Sequence, residues 1–414
     1  MKHRTLLILI LLFISLTGTF AQSTRIPAEW EKQKEVFITW FGKTKRDTVT
    51  EAVIAALHRH VNITINVSDS SAIPAIQSRL ESVATELKKI TFVVDPKSGF
   101  WLRDAMIFIE NGQDLKVVDF NYSMYGIYPE IYNMPIPESK KEIGRYDQRI
   151  SKRLNVPIIK SEFVFEGGGI ESNGNGTLLI IREMALQRNP GKSIQELENE
   201  LKRVLGARKI IWLKDGLIED KMFKNGGPFY KNYFGGGANM HVDELCRFVD
   251  DHTVVFPIIE KGTLENNPVD SINYQMLEEN LKILEEAVTA DGTPIEIVRV
   301  PVPDVESLKH PHTIESFESA DFTDFGFNSG DTIFYIPACS YMNYFICNDV
   351  VLIPKYWHSG LPESQKEKDE VVLKIFSGLF PDREIIQIYT LGINQGGGGL
   401  HCMTHELPDI SNNE

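Results

Sequence analysis

The sequence feature that most constrains the fold is an amphipathic helix followed directly by a short β run, a pairing that occurs five times. Each predicted helix carries apolar residues at helical spacing, and each run after it is rich in β-branched residues. The alternation indicates a mixed α/β chain. The predicted pairs are 48–60 with 61–65, 75–88 with 90–94, 193–205 with 210–213, 270–289 with 295–298, and 366–379 with 385–388.

The spacing of these units bears on the architecture. It is irregular, which argues against a short-repeat solenoid. No Pro/Ser-rich linker divides the chain, so we expect one continuous domain over residues 22–414. A doubly wound α/β sheet is the default architecture, although no Gly-x-Gly-x-x-Gly motif opens a helix after a strand. Further β runs without a preceding helix are predicted at 115–120, 178–181, 253–256, 332–336 and 350–353.

Two of the predicted helices begin with a capping-box pattern. In this pattern a Ser or Thr side chain and a Glu three residues later satisfy each other's backbone N–H groups. Thr48 with Glu51, and Ser193 with Glu196, match it. Both helices are therefore expected to begin at these residues.

The N-terminal segment is typical of a secretory signal peptide. Basic residues Lys2 and Arg4 precede an almost wholly apolar run at 6–16, and small residues lead to Ala21, after which cleavage is expected. The apolar run is short for a bilayer-spanning helix, which makes a membrane anchor the weaker interpretation. We expect residues 1–21 to be removed and the mature protein to be exported, to the periplasm or beyond, without further membrane contact.

Charge and cysteine content restrict the partners. The formal net charge is −14, which argues against a nucleic-acid partner and suits a cationic ligand.

The cysteines Cys246, Cys339, Cys347 and Cys402 are too few for a disulfide scaffold. If Cys402 acts as a nucleophile it must stay free, so at most one bridge can form among the other three.

Cys402 is the most reactive candidate in the sequence. Four consecutive glycines at 396–399 allow close backbone approach, and His401 and His405 lie near the thiol. Such surroundings can favour a thiolate. A buried, inert cysteine beside a flexible loop is the alternative, and His405 is more readily interpreted as structural.

Four more polar residues stand beside glycines or aromatic residues. Asp104 follows the run 90–94, Glu166 precedes three glycines, and His241 and Asp243 follow a loop rich in glycine that includes Gly226. His241 and Asp243 are two residues apart, so on a strand they would face the same side. Each of these residues could instead have a structural role; Glu166, for example, could stabilise a turn.

The residues around Asp104 have two interpretations as well. Arg103 directly precedes Asp104, so the two could form a structural ion pair. Trp101 could belong to the core or form a stacking wall for a cation.

One thiol, one imidazole and three carboxylates suit attack on a guanidinium. A Cys–His pair indicates nucleophilic catalysis, but a peptidase needs only one orienting Asn or Asp. Carboxylates match the fork of guanidinium N–H donors and could hold its central carbon before a thiolate. Ammonia would then leave, and water would hydrolyse the thiouronium to a ureido product. A non-catalytic guanidine binder and a Cys–His peptidase or amidotransferase remain alternatives.

A metal site is a weaker interpretation of the same region. Its candidate ligands lack the usual short spacing of metal motifs. These candidates are His241, Asp243, His401, Cys402 and His405.

Six motifs, in order, resemble the agmatine deiminase and bacterial peptidylarginine deiminase family of the guanidine-modifying (pentein) superfamily. The similarity spans nearly the whole mature chain. The motifs are Ile-Pro-Ala-Glu-Trp-Glu at 26–31, Trp-Leu-Arg-Asp at 101–104, Glu-Gly-Gly at 166–168, His-Val-Asp at 241–243, Ser-Tyr-Met-Asn at 340–343, and the cysteine-bearing segment 398–402.

The resemblance implies a five-bladed, pseudo-fivefold α/β propeller with a central site and no metal or organic cofactor. Cys402 would be the nucleophile and His241 the general acid and base. Asp104 and Asp243 would bind the guanidinium, and Glu166 would support them. The predicted substrate-binding residues are Trp101, Arg103, Gly168, Asn343 and Gly399.

Departures from the family pattern bear on the substrate. Agmatine deiminases usually continue Trp-x-Arg-Asp with x-Gly-Pro, whereas Ala-Met-Ile stands here at 105–107. The ending at 400–406 looks like that of the secreted peptidylarginine deiminase. That enzyme's carboxylate-binding arginines, however, have no counterpart at 121–126. We therefore expect a small cationic guanidine such as agmatine, with an arginine-containing peptide as the alternative, and leave the oligomeric state open.

Overall fold

A computed structural model describes residues 24–128, 133–221, 227–265 and 267–412. The predicted signal peptide at 1–21 and Gly226 of the glycine-rich loop lie outside the described residues. Within the described ranges, no helix has both the length and the apolar character needed to cross a bilayer.

Short strands and longer helices alternate along the chain. The strands are β1 (Thr24–Arg25), β2 (Gln33–Thr39), β3 (Asn62–Val67), β4 (Ile90–Val94), β5 (Ile107–Asn111), β6 (Asp114–Asp119), β7 (Ile158–Lys160), β8 (Glu171–Ser172), β9 (Thr177–Ile181), β10 (Lys209–Leu213), β11 (Tyr233–Gly235), β12 (Arg247–Phe248), β13 (Thr253–Ile258), β14 (Glu296–Pro301), β15 (His310–Thr313), β16 (Thr332–Ile336), β17 (Phe345–Cys347), β18 (Val350–Lys355), β19 (Glu384–Tyr389) and β20 (Thr404–Pro408). The helices are α1 (Thr44–Leu57), α2 (Ile73–Ser82), α3 (Glu138–Gly144), α4 (Tyr146–Leu154), α5 (Arg182–Arg188), α6 (Ile194–Leu205), α7 (Pro268–Glu286), α8 (Val305–Leu308), α9 (Ala320–Thr323), α10 (Glu363–Leu379), α11 (Leu391–Asn394) and α12 (Leu400–Met403).

Six sheets of the described chain contain a strand with an antiparallel neighbour on one side and a parallel neighbour on the other. In five of them the parallel neighbour is reached through a crossover of one or two α-helices without an intervening strand, and these five share one complete pattern. In spatial order the five sheets are β20-β2-β3-β4, β1-β5-β6-β7, β8-β9-β10, β12-β13-β14 and β17-β18-β19.

The predicted α/β class is confirmed, but the default single doubly wound sheet is wrong. The strands form separate sheets of three or four members instead of one continuous sheet. Each sheet is bounded by an antiparallel strand, and three of these strands, β8, β12 and β17, have only two or three residues, too few to show a sequence period. A sixth sheet, β11-β16-β15, packs around Phe234 and Ile333 as a separate small core.

The five sheets do not correspond one to one to the five predicted helix–strand pairs. The predicted pair 75–88 with 90–94 corresponds to α2 and β4, which extend the sheet begun by β2 and β3. The crossover that sequence reasoning missed is α3 and α4, before β7. Helix α4 has apolar residues at helical spacing, Tyr146, Ile150 and Leu154, but spans only nine residues, so the pattern is too short to stand out in the sequence.

One of the two predicted caps is confirmed. Ser193 and Glu196 form a complete capping box at the start of α6, whose Leu197 and Leu201 are buried. Thr48 caps nothing, because α1 begins four residues earlier and has Lys43 at its N-cap position. The Thr48 hydroxyl instead accepts a hydrogen bond from Arg79 at 3.3 Å.

The last strand of the described chain pairs with the second strand. Strand β20 pairs antiparallel with β2, with Phe37 opposite His405. Cys402 lies in α12, immediately before β20, so this pairing ties the cysteine-bearing segment to the first sheet.

Candidate active site

The predicted site residues lie in turns between strands. Asp104 is in a short 3₁₀ turn between β4 and β5, and Glu166 directly precedes another between β7 and β8. His241 directly precedes a third, at Val242–Glu244, which contains Asp243. His241 and Asp243 therefore do not lie on a strand, the geometry in which a spacing of two would turn them to the same side. Their side chains still converge, with Nδ1 and Oδ1 4.0 Å apart, because the tight turn brings them together.

The Cys402 thiol is buried at the centre of this group. Asn343 donates from Nδ2 to Sγ at 3.1 Å, and its Oδ1 accepts the backbone N–H of His401 at 2.9 Å. On the other side, Sγ lies 3.5 Å from Asp243 Oδ2 and 3.9 Å from Glu244 Oε1. Burial, and then these carboxylates, raise the pKa of the thiol well above its ordinary value. The thiol is therefore protonated in the empty site.

His241 is surrounded by carboxylates. Its Nδ1 lies 3.6 Å from Asp104, and its Nε2 lies 3.5 Å from Glu166. Burial alone would lower the pKa of the imidazole, but Asp104, Glu166 and Asp243 together raise it to about 9. Neither ring nitrogen has a hydrogen-bond partner of good geometry among the described residues. At neutral pH this group is thus an imidazolium, a proton donor without a fixed acceptor.

Asp104 is held on both oxygens. The Tyr125 hydroxyl donates to Oδ2 at 2.9 Å, and the backbone N–H of Gly168 donates to Oδ1 at 3.1 Å. Burial raises the pKa of Asp104 to about 6, although His241 and the Tyr125 hydrogen bond lower it. The carboxylate form therefore predominates at neutral pH.

Glu166 is paired with an arginine that sequence reasoning missed. Arg188 Nε lies 3.0 and 3.1 Å from the two Glu166 oxygens, and both side chains are fully buried. Burial would raise the pKa of Glu166, but Arg188 and His241 hold it below its ordinary value. Arg188 is 22 residues away at the end of α5, so no local spacing identified it.

Asp243 is oriented by His401. Asp243 Oδ2 lies 2.8 Å from His401 Nδ1, and the other ring nitrogen of His401 lies 2.8 Å from Glu29. Burial would raise the pKa of Asp243, but the His401 hydrogen bond and nearby cations hold it low. Asp243 Oδ1 is buried and has no hydrogen-bond partner among the described residues. One carboxylate oxygen therefore remains available to a ligand.

Two of the predicted glycines are required by close approach. A β-carbon at Gly168 would lie 2.8 Å from both Asp243 Oδ2 and His241 Nδ1. At Gly399 it would lie 2.5 Å from Asn343 Oδ1. Any side chain at either position would push these groups apart.

Of the predicted substrate-binding residues Trp101 and Arg103, the structure places only Trp101 close to the thiol. Trp101 lies near the thiol, since its Cζ3 and Cys402 Sγ are each 3.1 Å from the point that a β-carbon on Gly398 would occupy. Arg103 is not brought to the site. It is buried against Glu406, and its Nε donates to the His401 carbonyl at 3.3 Å. Arg103 pairs with Glu29 and Glu406 and not with Asp104. Its position therefore fits neither a structural ion pair with Asp104 nor direct substrate binding.

The described residues bear on both the metal interpretation and the possible pairing of the cysteines. Asp243, Glu244 and Cys402 each place a potential ligand atom within 4.8 Å of the others, a set that differs from the one predicted. His405 lies instead against the Met106 carbonyl at 2.9 Å. All four cysteines are free and buried, so none forms a disulfide.

Tyr125 and Glu244 also escaped sequence reasoning. Tyr125 has a φ of 62°, and this turn conformation places its hydroxyl against Asp104. A tyrosine is not a typical turn residue, so the sequence did not indicate this turn. Glu244 directly follows the recognised Asp243. Burial, and then the neighbouring carboxylates, raise the pKa of Glu244 well above its ordinary value, which favours its protonated form. The cluster therefore sets the carboxylates of Asp104, Glu166 and Asp243 against the cations Arg188 and His241, an excess of negative charge that a bound cation would neutralise.

Comparisons with known proteins agree with this architecture. A sequence model of the family described as Porphyromonas-type peptidyl-arginine deiminase matches residues 25–408. The agmatine deiminase of Pseudomonas aeruginosa is 25% identical over 400 residues, covering 94% of this chain and 96% of that protein.

Solved structures with a similar fold include two agmatine deiminases. The one from Enterococcus faecalis has a TM-score of 0.70 at 23% identity, over 94% of this chain and 96% of that chain. The one from C. jejuni has a TM-score of 0.66 at 18% identity, over 93% and 96%. At these identities the likeness establishes a shared fold.

Proposed function

Because the chain belongs to the Porphyromonas-type peptidyl-arginine deiminase family, we propose that it is a hydrolase that deiminates a guanidino compound to a ureido product and ammonia. The observation that carries the proposal is the position of the Cys402 thiol, 3.5 Å from Asp243, in a buried cluster with more carboxylates than cations. A guanidinium supplies the missing positive charge and offers its carbon to the thiol.

Binding of the guanidinium rests on Asp243 and Asp104. The unpartnered Asp243 Oδ1 accepts one guanidinium N–H, and Asp104 accepts another through the remaining lone pairs of its oxygens. Glu166, neutralised by Arg188, holds His241 beside both. The geometry suits a planar cation gripped at its edge.

The bound cation also activates the nucleophile. Burial and neighbouring carboxylates keep Cys402 protonated in the empty site, and a positive charge placed beside Sγ reverses that effect. The thiol then releases its proton to water, and the thiolate attacks the guanidinium carbon and forms a tetrahedral adduct. The released proton is the one that later converts the departed ammonia into ammonium. Because activation requires the substrate, the thiol is poorly reactive until a guanidinium binds.

His241 carries the proton through both half-reactions. As an imidazolium it protonates the departing amino group, the C–N bond breaks, and ammonia leaves a thiouronium on Cys402. The neutral imidazole then takes a proton from water, which attacks the same carbon. The C–S bond breaks, the thiol is restored, and the sum is guanidinium plus water giving a ureido compound plus ammonium.

The family suggests two substrates for the first assays. Agmatine is the small guanidine named in the curated relatives, and peptidyl-arginine is named in the family description. We also propose that the five like-patterned sheets form the closed ring of a pentein, with Cys402 facing its centre.

The deciding experiment incubates reduced, metal-free residues 22–414 with agmatine, arginine and arginine-containing peptides. Ammonia and ureido product in equal amounts from at least one of them support the proposal. A haloamidine should label Cys402 and block turnover. Tight guanidine binding without any ammonia would contradict the proposal and favour the non-catalytic binder.

Export is a separate proposal that rests on the basic and apolar pattern of residues 1–21. The full-length chain should lose this segment when it is expressed in a Gram-negative host. Mass spectrometry of the mature N-terminus and cell fractionation measure this outcome. Retention of the intact N-terminus in the cytoplasm would rule export out.

A further inference from the structure

One buried carboxylate that the proposed mechanism does not use holds the segment leading into His241. Asp220 is 1% exposed. Its Oδ1 accepts the backbone N–H of Ala238 at 2.6 Å, and its Oδ2 accepts that of His241 at 2.9 Å. The backbone N–H of Met240 donates to the same carboxylate. Because these donors are all backbone N–H groups, the carboxylate acts only as an acceptor, as an ionised aspartate does.

The backbone that donates these hydrogen bonds has an uncommon conformation. Asn239 and Met240, the two residues before His241, both have left-handed φ values, of 65° and 73°. A residue with a side chain adopts such a φ only where the surrounding contacts impose it. Backbone turned in this way presents several N–H groups to one anion. The Asp220 carboxylate is that anion, so it maintains the conformation that aims His241.

Contacts on both sides fix the same segment. A β-carbon on Gly237 would lie 2.0 Å from Asp220 Oδ1, so only glycine lets the carboxylate approach. The backbone N–H of Asn239 donates to the Asp220 carbonyl at 2.9 Å. On the carbonyl side, Arg188 Nη2 donates to Ala238 at 3.2 Å and to Asn239 at 3.1 Å. Asp220 therefore holds the N–H groups of the segment while Arg188 holds its carbonyl groups.

Asp220 also acts on His241 through its charge. Burial raises the pKa of Asp220, and the neighbouring His241 charge is the largest of the influences that lower it. The attraction is mutual, so the Asp220 carboxylate favours the protonated imidazole.

We propose that Asp220 is a positioning residue for the deimination chemistry, which aims His241 at the reacting carbon and stabilises its imidazolium form. The inference rests on the proposed function, because it takes His241 as the group that carries the proton. Asp220 lies 21 residues before His241 in the chain, so no short motif links the two.

Other titratable groups face His241 and Asp220 from the elements packed around them. The groups that face the imidazole are Asp104, Glu166, Asp243 and Tyr125. The groups that face Asp220 are Glu219 and Glu244. Substitution of Asp220 leaves all of these groups in place, so it tests one charge among several.

Asp220→Asn keeps the size of the side chain, removes its charge and turns an amide N–H group against the backbone donors. The upper limb of the kcat/KM profile, set by the His241 pKa of about 9, should move to lower pH by about one unit, because the imidazolium loses an attractive neighbour. At pH 8, kcat should fall by about ten-fold or more as His241 loses its alignment. Histidine NMR in the Cys402→Ala background measures the titration of His241 without turnover.

Two further measurements separate positioning from general damage. In the Cys402→Ala background, Asp220→Asn should bind agmatine and arginine nearly as tightly as before, because Asp104 and Asp243 are still present. Asp220→Glu keeps the charge but displaces it by one methylene, so it should lower kcat while the upper limb stays near its original pH.

Glu219→Gln is the matched control. Glu219 is the neighbouring residue and is also buried, but its Oε2 accepts a hydrogen bond from Asn273 in α7, at 2.7 Å, instead of from the segment before His241. Its substitution should leave the upper limb and the His241 titration in place.

The inference is overturned if the His241 titration in Asp220→Asn matches that of the unsubstituted protein. It is also overturned if Asp220→Asn fails to fold or loses guanidine binding while Glu219→Gln does neither, because Asp220 would then have only a structural role. The expected shift of the His241 titration, in a chain that releases no ammonia from any guanidine, would contradict the proposed function alone.

Discussion

Two buried charged regions of this protein lie side by side and differ in how their charges are matched. In the arginine network, formed by Glu29, Arg103, Glu171, Arg247 and Glu406, each arginine meets carboxylates directly. Arg247 is fully buried, lies 2.7 Å from Glu171 and 2.8 Å from Glu29, and donates to the Tyr344 carbonyl. The network therefore contains its own counter-charges.

The catalytic cluster around Cys402 leaves its charges incompletely matched. Carboxyl groups outnumber cations in both regions, but in the cluster Asp243 Oδ1 has no hydrogen-bond partner among the described residues, and both nitrogens of His241 lack good hydrogen bonds there. His401 joins the two regions, because its ring nitrogens contact Asp243 and Glu29 at 2.8 Å each. We therefore propose that the network stabilises the fold, whereas the cluster leaves buried polar atoms unpartnered that a bound guanidinium would contact.

The largest expected effect on chemistry comes from the cluster. Cys402→Ala should reduce ammonia release by at least about 1,000-fold, because no other group can form the covalent bond. The melting temperature should stay nearly unchanged, since Asn343 donates the closest hydrogen bond to the thiol and keeps its other contacts. Turnover above one per cent of the original would assign the nucleophile elsewhere.

A substitution in the arginine network should lower the stability of the fold more than it affects the chemistry. Arg247→Met removes one partner of a buried group and leaves the Glu29 and Glu171 charges uncompensated, which costs about 3–5 kcal/mol of unfolding free energy. Urea denaturation followed by fluorescence measures this loss. If the variant keeps its stability and loses activity, the proposed division between the regions is incorrect.

The pH dependence of kcat/KM should show two limbs. Below the Asp104 pKa of about 6 the carboxyl is protonated and cannot hold a guanidinium, so kcat/KM falls as pH decreases. Above the His241 pKa of about 9 the imidazole has lost the proton for the leaving ammonia, so kcat/KM falls as pH increases. Because the groups of the cluster interact strongly, the two pKa values seen in the profile belong to the cluster and not to single residues. A profile that is flat from pH 5 to 10 would contradict both assignments.

The smallest effect is expected at Tyr125, at the edge of the cluster. Tyr125→Phe removes the hydrogen bond to Asp104 Oδ2, and since that bond lowers the Asp104 pKa, the acid limb should move to higher pH. Activity near pH 8 should fall only a few-fold, the scale of one hydrogen bond. An acid limb that does not move would show that Tyr125 does not tune Asp104.

Local chemistry explains which fold elements could be predicted. Strand β16 at Thr332–Ile336 and the capping box of α6 follow from residues adjacent in the chain, and both are confirmed. Helix α4 was missed because it spans only nine residues, too few for its apolar positions to stand out in the sequence, and the tight turn after His241 has no local sequence signal. Short strands such as β8 depend on a partner and carry no period of their own.

The sequence by itself determined the α/β class, the family through the order of its motifs, and the identities of Asp104, Glu166, His241, Asp243 and Cys402 as candidates, because residue types and short spacings carry those signals. Tertiary structure alone decided that Arg103 faces Glu406, that Arg188 neutralises Glu166, and that Arg46 lies over the ring of Trp101. The physical reason is that a charge is matched by whichever groups the fold brings within a few ångströms, and those groups come from segments far apart in the chain.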